Sequence, residues 1–337
     1  MKPRPDLSVV IVTHNGRDLA LATIASAKAA TGDLEAEWLV SDAGSQDGTP
    51  EAIEAAHPDV LVLRGPNRGF AAGNNAALRV ASGRYVLLLN PDTEVARGTF
   101  EELVRALDER PDVGIASVVQ QWPDGRLQPS IRHVPTVRRQ LADALGLHRL
   151  GRKGGEVVTD PEAYARETAA DWLVGAFLIA RHEAMDDVGL MDDRFFLYSE
   201  EKDWCVRFKA AGWDVRHLPV MAITHHAGGF ARPMMVAQLT YAKLQYFEKH
   251  HGRAAAGALR LSLGLHHALR LLAFGVLRRQ PPAEVGGGEQ LAGVRPDPRT
   301  RVEGERLGLR VCFTGYVPQL GATPREPSAT EPAVAGR

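Results

Sequence analysis

The apolar positions of this chain fall into two kinds of run. Short unbroken stretches rich in β-branched residues (Leu7–Thr13, Trp38–Val40, Val60–Leu63 and Val86–Leu89) read as strands buried in a sheet. Between them lie helical segments: Asp18–Ala30, one opened by Pro50-Glu51, and one running through Val80. Strand, helix, strand, helix, strand predicts an α/β layered sheet. Trp172–Ala180 and Val215–Ile223 read as later strands, and Pro233–His250 as a helix. The run Val86–Leu89 ends in Asn90, Pro91 and Asp92. Proline has no backbone N–H and biases the residue before it toward extended backbone, so the strand should stop there. Asp92 and Glu94 then sit at the carboxyl end of a central strand, where open α/β sheets gather ligands and a carboxylate suits a hard divalent cation. An Asx-type turn after a core strand reads the same residues.

Composition narrows the class. At 337 residues, 45% of them hydrophobic, the chain is long enough for one large domain or two modest ones. Forty basic against forty-one acidic residues argue against a general nucleic-acid partner. Cys205 and Cys312 belong to no paired motif, so free thiols and a reducing compartment are expected. No signal-type apolar stretch precedes the first strand, and no run of eighteen apolar residues occurs. A cytoplasmic protein, with peripheral contact on the inner face of the membrane as an option, is the expectation.

Two nucleotide folds can be set aside. Only Gly16 stands between the first strand and its helix, so the dinucleotide fingerprint Gly-x-Gly-x-x-Gly is missing. No Gly-x-x-x-x-Gly-Lys-Ser/Thr phosphate loop occurs either.

Seven motifs in order resemble the family 2 glycosyltransferases, and more closely their rhamnosyltransferase-like branch. They are Val9-Val-Ile-Val-Thr-His-Asn15, Ser41-Asp-Ala-Gly-Ser-Gln-Asp-Gly-Thr49, Asn67-Arg-Gly-Phe-Ala-Ala-Gly-Asn-Asn75, Asn90-Pro-Asp92, Trp172-Leu-Val-Gly-Ala176, Phe195-Phe-Leu-Tyr-Ser-Glu-Glu-Lys-Asp203 and His225-His-Ala-Gly-Gly229. The resemblance implies an inverting enzyme of GT-A fold: a mostly parallel nucleotide-binding sheet with helices on both faces, plus C-terminal helices. It places a GT-A domain over 6–250, with a nucleotide-sugar half to about 118 and an acceptor half beyond it.

The same resemblance implies roles for residues. Thr13, Asn15, Asp42, Asn67, Arg68, Gly73, Asn74, Asn90 and Asp92 would bind the nucleotide-diphospho-sugar, with Asp42 reading the N3–H of uracil or thymine. Ala43 departs from the polar residue common in that loop. Asp92 would ligate Mg²⁺ or Mn²⁺ with a histidine after the last strand; His226 matches the spacing better and His225 is the reserve. Glu201 falls where the family usually has the Asp that serves as catalytic base. Trp172, Gly175, Glu200 and Asp203 would meet the acceptor. Crowding of Glu200, Glu201 and Asp203 should raise at least one pKa. The same acids also suit a helix N-terminus, and Trp172 suits a core equally well.

Beyond His250 the chain should form an amphipathic helical extension over 251–279, then a mostly disordered tail over 280–337. Arg260, His267, Arg270 and Arg278 fall within an arc of about 80°, a face that would lie on an anionic membrane or pack on protein. The expected activity is transfer of a sugar, best matched by L-rhamnose from dTDP-rhamnose, to a cell-envelope glycan or polyprenyl-linked acceptor. A non-catalytic sugar-nucleotide-binding or scaffold protein of the same fold is the alternative, and the oligomeric state is not legible.

Overall fold

A computed structural model describes residues 4–144, 155–226, 232–277, 298–318 and 320. Its strands are β1 (Leu7–Thr13), β2 (Ala36–Asp42), β3 (Val60–Arg64), β4 (Tyr85–Leu89), β5 (Thr93–Val95), β6 (Val113–Gln121), β7 (Ile131–Arg132), β8 (Thr168–Ala169), β9 (Trp172–Leu173), β10 (Phe177–Arg181) and β11 (Asp214–His225). Its helices are α1 (Arg17–Ala29), α2 (Thr49–Ala56), α3 (Phe70–Leu78), α4 (Thr99–Asp108), α5 (Val137–Ala144), α6 (Pro161–Tyr164), α7 (His182–Val188), α8 (Glu200–Ala210), α9 (Pro233–Leu277) and α10 (Pro298–Phe313).

A nine-stranded sheet runs in the order β3-β2-β1-β4-β10-β6-β11-β5, with β8 attached to β11. The first four strands in that order are parallel. Then β10 inserts antiparallel between β4 and β6, β11 lies parallel to β6, and β5 closes antiparallel. Successive side chains of a strand point to opposite faces. Accordingly Val9, Ile11, Leu87 and Leu89 pack under α1 and α4, while Val10, Val86 and Leu88 pack under α3 and α8. Every residue of β4 is buried, as its unbroken apolar run requires.

The last strand is long because it is broken internally. Pro219 cannot donate to a ladder, and the pairing of β11 with β6 shifts register between His217 and Ala222. That irregularity sets the parity of everything downstream, including His225.

Asp203 joins α8 to α9. It has no exposed surface, and its carboxylate accepts from Arg207 one turn on and from Lys249 and His250 of α9, at 2.5 Å and 2.7 Å for the last two. Burial alone would raise its pKa; the bonds from His250 and Lys249 outweigh this and hold it below the usual range.

The C-terminal expectations change in two ways. Pro298–Phe313, inside the stretch that composition marks as disordered, forms α10 against α9. The arc expected to face a membrane or a protein faces α10: His267 and Arg270 pair with Glu305, and Arg260 donates to the carbonyls of Val311 and Cys312. Cationic side chains at a helix C-terminus satisfy its last carbonyls, which is what α10 gains here. Arg278 lies outside the described residues. Gly252, at φ 79°, kinks α9 between its two halves. Among the described residues, no helix is long and apolar enough to cross a membrane. Cys205 and Cys312 are buried free thiols.

Removing one partner of a buried ion cluster leaves the others uncompensated. Asp203→Ala is therefore expected to lower unfolding free energy by about 3–5 kcal/mol, read as a fall in the denaturant midpoint. A loss under ~1 kcal/mol, the size of a surface pair, would show that the cluster does not hold α8 to α9.

Candidate active site

The parallel strands end side by side. Thr13 and Asp42 are register partners at the carboxyl ends of β1 and β2. Asp42 is 3% exposed; its Oδ1 accepts the Ser45 N–H at 2.9 Å, while Oδ2 is buried with no hydrogen-bond partner. Thr13 Oγ1, beside it, is likewise buried and unsatisfied. Such groups cost stability unless something else satisfies them. Asn15 is used otherwise: at φ 52° it takes the Ser45 hydroxyl on its N–H and accepts the Gln46 N–H, tying the two loops together.

The next loop divides in the same way. Arg68 is exposed and makes no ion pair among the described residues. Asn67 accepts the Gly69 N–H in an Asx turn. Gly69 has φ 98°, and a Cβ there would fall 2.2 Å from the Phe196 carbonyl oxygen, so this turn is pressed onto the segment before α8. Gly73 serves packing: a Cβ would meet Val12 Cγ1 at 2.8 Å, bringing α3 close to β1. Asn74 is buried and donates to Phe70 O within its own helix; Asn75 holds Met191 through both backbone groups.

Beyond β4, it is His225, the reserve, and not His226 that lies against Asp92. His225 Nε2 lies 3.3 Å from Asp92 Oδ1 and 3.3 Å from Asn90 Nδ2, while Nδ1 meets Gln128 Oε1 at 2.9 Å. His226 points the other way and pairs with Glu94 at 3.0 Å. Alternation along β11, with Thr93 opposite His225, decides between the neighbours. Gly228 and Gly229 lie outside the described residues.

Glu201 arrives from α8. The Tyr198 and Ser199 that precede this helix have left-handed backbone, at φ 69° and 71°, a costly geometry for residues with side chains. It is held by Phe70 N–H on the Phe196 carbonyl, Gln238 on the Leu197 carbonyl, and Asp203 N–H on the Ser199 carbonyl. The Glu201 side chain crosses Gly175, where an added Cβ would touch its Cβ at 3.4 Å. The neighbouring Ala176 carbonyl accepts the Asn90 N–H at 2.9 Å, so Glu201 and Asn90–Asp92 flank one short stretch of chain.

Three residues expected at the acceptor are placed differently. Asp203 is enclosed by its cations. Trp172 is a buried residue whose N–H donates to His133 O, with Lys202 and Arg132 at 4.5 Å and 5.7 Å from its ring. Glu200 is 2% exposed. Burial first, and Glu201 second, hold its carboxyl well above the usual range, so repulsion contributes as expected but desolvation leads.

Sequence reasoning missed Gln128, which orients His225, and the pair Lys202–Glu156, 2.8 Å apart and buried. Burial alone would raise Glu156; Lys202 and Lys243 beside it hold it down at about 2. This pair ties the segment after α5 to the residue next to Glu201. No spacing rule connects residues 46 positions apart, so only a charged residue in an otherwise apolar setting could have hinted at it.

The Asp92 and His225 donor set can be tested against a metal. With Nδ1 turned to Gln128 Oε1, Nε2 lies 3.3 Å from Asp92 Oδ1, so one nitrogen and one oxygen donor stand side by side. Among the described residues, no three His, Cys, Asp or Glu converge into a cage. Two donors and a neutral amide fit a hard cation held mainly by water and a ligand's phosphates.

Residues 8–167 match the family Glycosyl transferase family 2. The N-acetylglucosaminyl-diphospho-decaprenol L-rhamnosyltransferase of Mycobacterium tuberculosis is 30% identical over 233 residues, covering 65% of this chain and 76% of that protein. Rhamnosyltransferase WbbL of Escherichia coli is 25% identical over 167 residues, 47% of this chain and 61% of its own. A mannosyltransferase, PcManGT from Pyrobaculum calidifontis, solved with GDP-Man and Mn²⁺, superposes with a TM-score of 0.53 at 19% identity, covering 84% of this chain and 78% of that one. The shared architecture is the GT-A fold.

The buried Glu200 carboxyl generates a pH-dependent expectation. Its pKa is raised in the folded state, so as pH climbs past the ordinary carboxylate value the unfolded chain releases the proton while the folded chain keeps it, and stability falls. Glu200→Gln mimics the protonated form. Its melting temperature relative to wild type should therefore rise between pH 4.5 and 8, by at least ~2–4 °C. A difference independent of pH would show that Glu200 is ionised.

Proposed function

The chain belongs to glycosyl transferase family 2, in its rhamnosyltransferase-like branch, and we propose that it transfers L-rhamnose from dTDP-L-rhamnose, with inversion, to a cell-envelope glycan or polyprenyl-diphosphate-linked acceptor. The observation that carries the mechanism is the line of contacts from Glu201 across Gly175, through Ala176 to Asn90 and Asp92. It brings a carboxylate suited to a base and a carboxylate–imidazole pair suited to a diphosphate-bound cation onto one short segment.

Each residue's work follows from its surroundings. Asp42 Oδ2, buried and unsatisfied, accepts the thymine N3–H, and Thr13 Oγ1 bonds the nucleoside beside it. Arg68, exposed on its turn, reaches the ribose or phosphates. Asp92 and His225 would hold Mg²⁺ or Mn²⁺, with Gln128 fixing the imidazole and Asn90 adding a neutral polar contact. An ion held there would supply charge neutralisation for the departing nucleoside diphosphate. Glu201 takes the proton of the acceptor hydroxyl as its oxygen bonds to the anomeric carbon; the bond from that carbon to the diphosphate oxygen breaks, and its electron pair leaves with the nucleotide. Glu200 is buried beside Glu201, and burial first and Glu201 second hold its carboxyl well above the usual range, which disfavours a second charge next to the proposed base. L-Rhamnose and the lipid-linked acceptor are supported by what the mycobacterial relative is named for.

Two experiments test this. Glu201→Gln keeps size and hydrogen bonding but cannot accept a proton, so turnover should fall by roughly 10²–10⁴ with donor affinity within a few-fold of wild type. A rate near wild type would remove Glu201 as the base. Separately, His225→Ala and Asp92→Ala should each abolish the Mn²⁺-dependent part of dTDP-rhamnose binding measured by calorimetry, and His226→Ala should leave it intact. The reverse pattern for the two histidines would overturn the metal assignment.

A further inference from the structure

The second half of α9 carries a face that nothing among the described residues covers. Ala254, Ala258, Leu261, Leu265, Leu269 and Leu272 recur at spacings of three or four, so they form one stripe along the helix. All six are exposed, Leu261 at 65% and Leu272 at 62%. No charged residue interrupts the stripe. The opposite side of the helix is buried, through Ala256, Leu259 and Leu263, in a cluster with Tyr246, Phe247 and Val311. Apolar surface of this length on a soluble face marks an interaction site.

The surroundings indicate what it meets. Gly264 lets the Phe313 ring lie against the helix, and Arg260 caps the end of α10, so α10 runs alongside the stripe roughly a quarter-turn round. Phe313 is itself 57% exposed and extends the apolar edge. Residues 253–277 and 298–313 hold seven arginines against two glutamates, in a chain whose formal net charge is −1. Of these, Arg253, Arg299, Arg306 and Arg310 are exposed. A second copy docking on this face would bring two such cationic sets together, a repulsive arrangement. The segments 278–297 and 319–337, rich in Pro, Gly and charged residues, have too few large apolar side chains to match four leucines. A leucine stripe bordered by arginines matches the acyl–headgroup boundary of an anionic bilayer.

We propose that α9 beyond Gly252, together with α10, is a docking surface for an anionic lipid bilayer, with the leucine stripe entering the boundary and the exposed arginines meeting headgroup phosphates. The contact face is thus distinct from the arginine–histidine arc, which is committed to α10. This inference stands apart from the assignments at Asp92 and Glu201, and its test does not require turnover.

The test is sedimentation of the full chain with vesicles of phosphatidylcholine alone or with phosphatidylglycerol added. Wild type should pellet with the anionic vesicles and bind the neutral ones at least about tenfold more weakly. The triple variant Leu261→Gln, Leu265→Gln, Leu272→Gln should lose about a hundredfold or more in affinity for the anionic vesicles. Its melting temperature and donor binding should stay at wild-type values, since these side chains are exposed. Arg253→Gln with Arg306→Gln should weaken only the anionic preference, by about fivefold per arginine at low salt. The proposal is overturned if wild type stays in the supernatant with both vesicle types, or if the triple variant binds as wild type does. It is equally overturned if light scattering shows a dimer that the triple variant dissociates while vesicle binding is absent.

Discussion

Asp203 is a fully buried carboxylate surrounded by Arg207, Lys249 and the His250 ring, and the position of the proposed base depends on it. Its backbone N–H closes the first turn of α8 on the Ser199 carbonyl, directly after two residues in left-handed backbone. Strained backbone persists only where its surroundings over-determine it. Here the constraint comes from both sides: α9 grips the Asp203 side chain, and α3 and α9 hold the carbonyls of Phe196 and Leu197. An acid that sequence pattern assigns to the acceptor therefore works through position. It fixes where Glu201 leaves the helix, and it spends its own charge on Lys249, His250 and Arg207.

The two adjacent carboxyls beyond the strained turn show how one short segment makes unlike groups from like residues. Glu200 and Glu201 are neighbours on a helix, so they leave it in different directions, although one carboxyl oxygen of each is buried. Burial first, and Glu201 second, hold the Glu200 carboxyl well above the usual range. On the far side, the Lys202–Glu156 pair is internally compensated, with Glu156 ionised against two lysines. The proposed base thus sits between a carboxyl whose burial disfavours charge and an ion pair that balances its own.

Much of this was legible in the sequence, and the reasons are physical. The unbroken apolar run of β4 could only be a strand buried on both faces, and Pro91 had to end it, so the place of Asp92 followed. The order of strands and helices gave the α/β class. Legibility failed wherever long-range pairing decides. His225 and His226 differ by one residue, and the face each takes depends on a register that Pro219 and the irregularity in β11 set. Trp172 looks the same whether it stacks on a sugar or fills a core, and only the approach of Lys202 and Arg132 separates the two. Helix α10 escaped because Pro, Gly and Arg in its surroundings suggest a tail; Glu305, its bond to α9, has meaning only once His267 and Arg270 lie opposite.

Glu201 stands where the family usually carries Asp, and the structure supplies a way for the longer side chain to fit. Its Cβ, Cγ and Cδ lie 3.4, 3.6 and 3.9 Å from the point where Gly175 would carry a Cβ. The additional methylene therefore runs over a residue with no side chain to oppose it. A glycine at 175 and a glutamate at 201 read as a matched pair: the missing Cβ leaves room for the stem, and the stem lies along the chain that leads to Asn90. Since Ala176 is bonded to Asn90, any displacement of the 175–176 segment to relieve crowding would also move the approach to Asp92. The geometry of the base and that of the cation pair are thus set by the same few atoms of backbone.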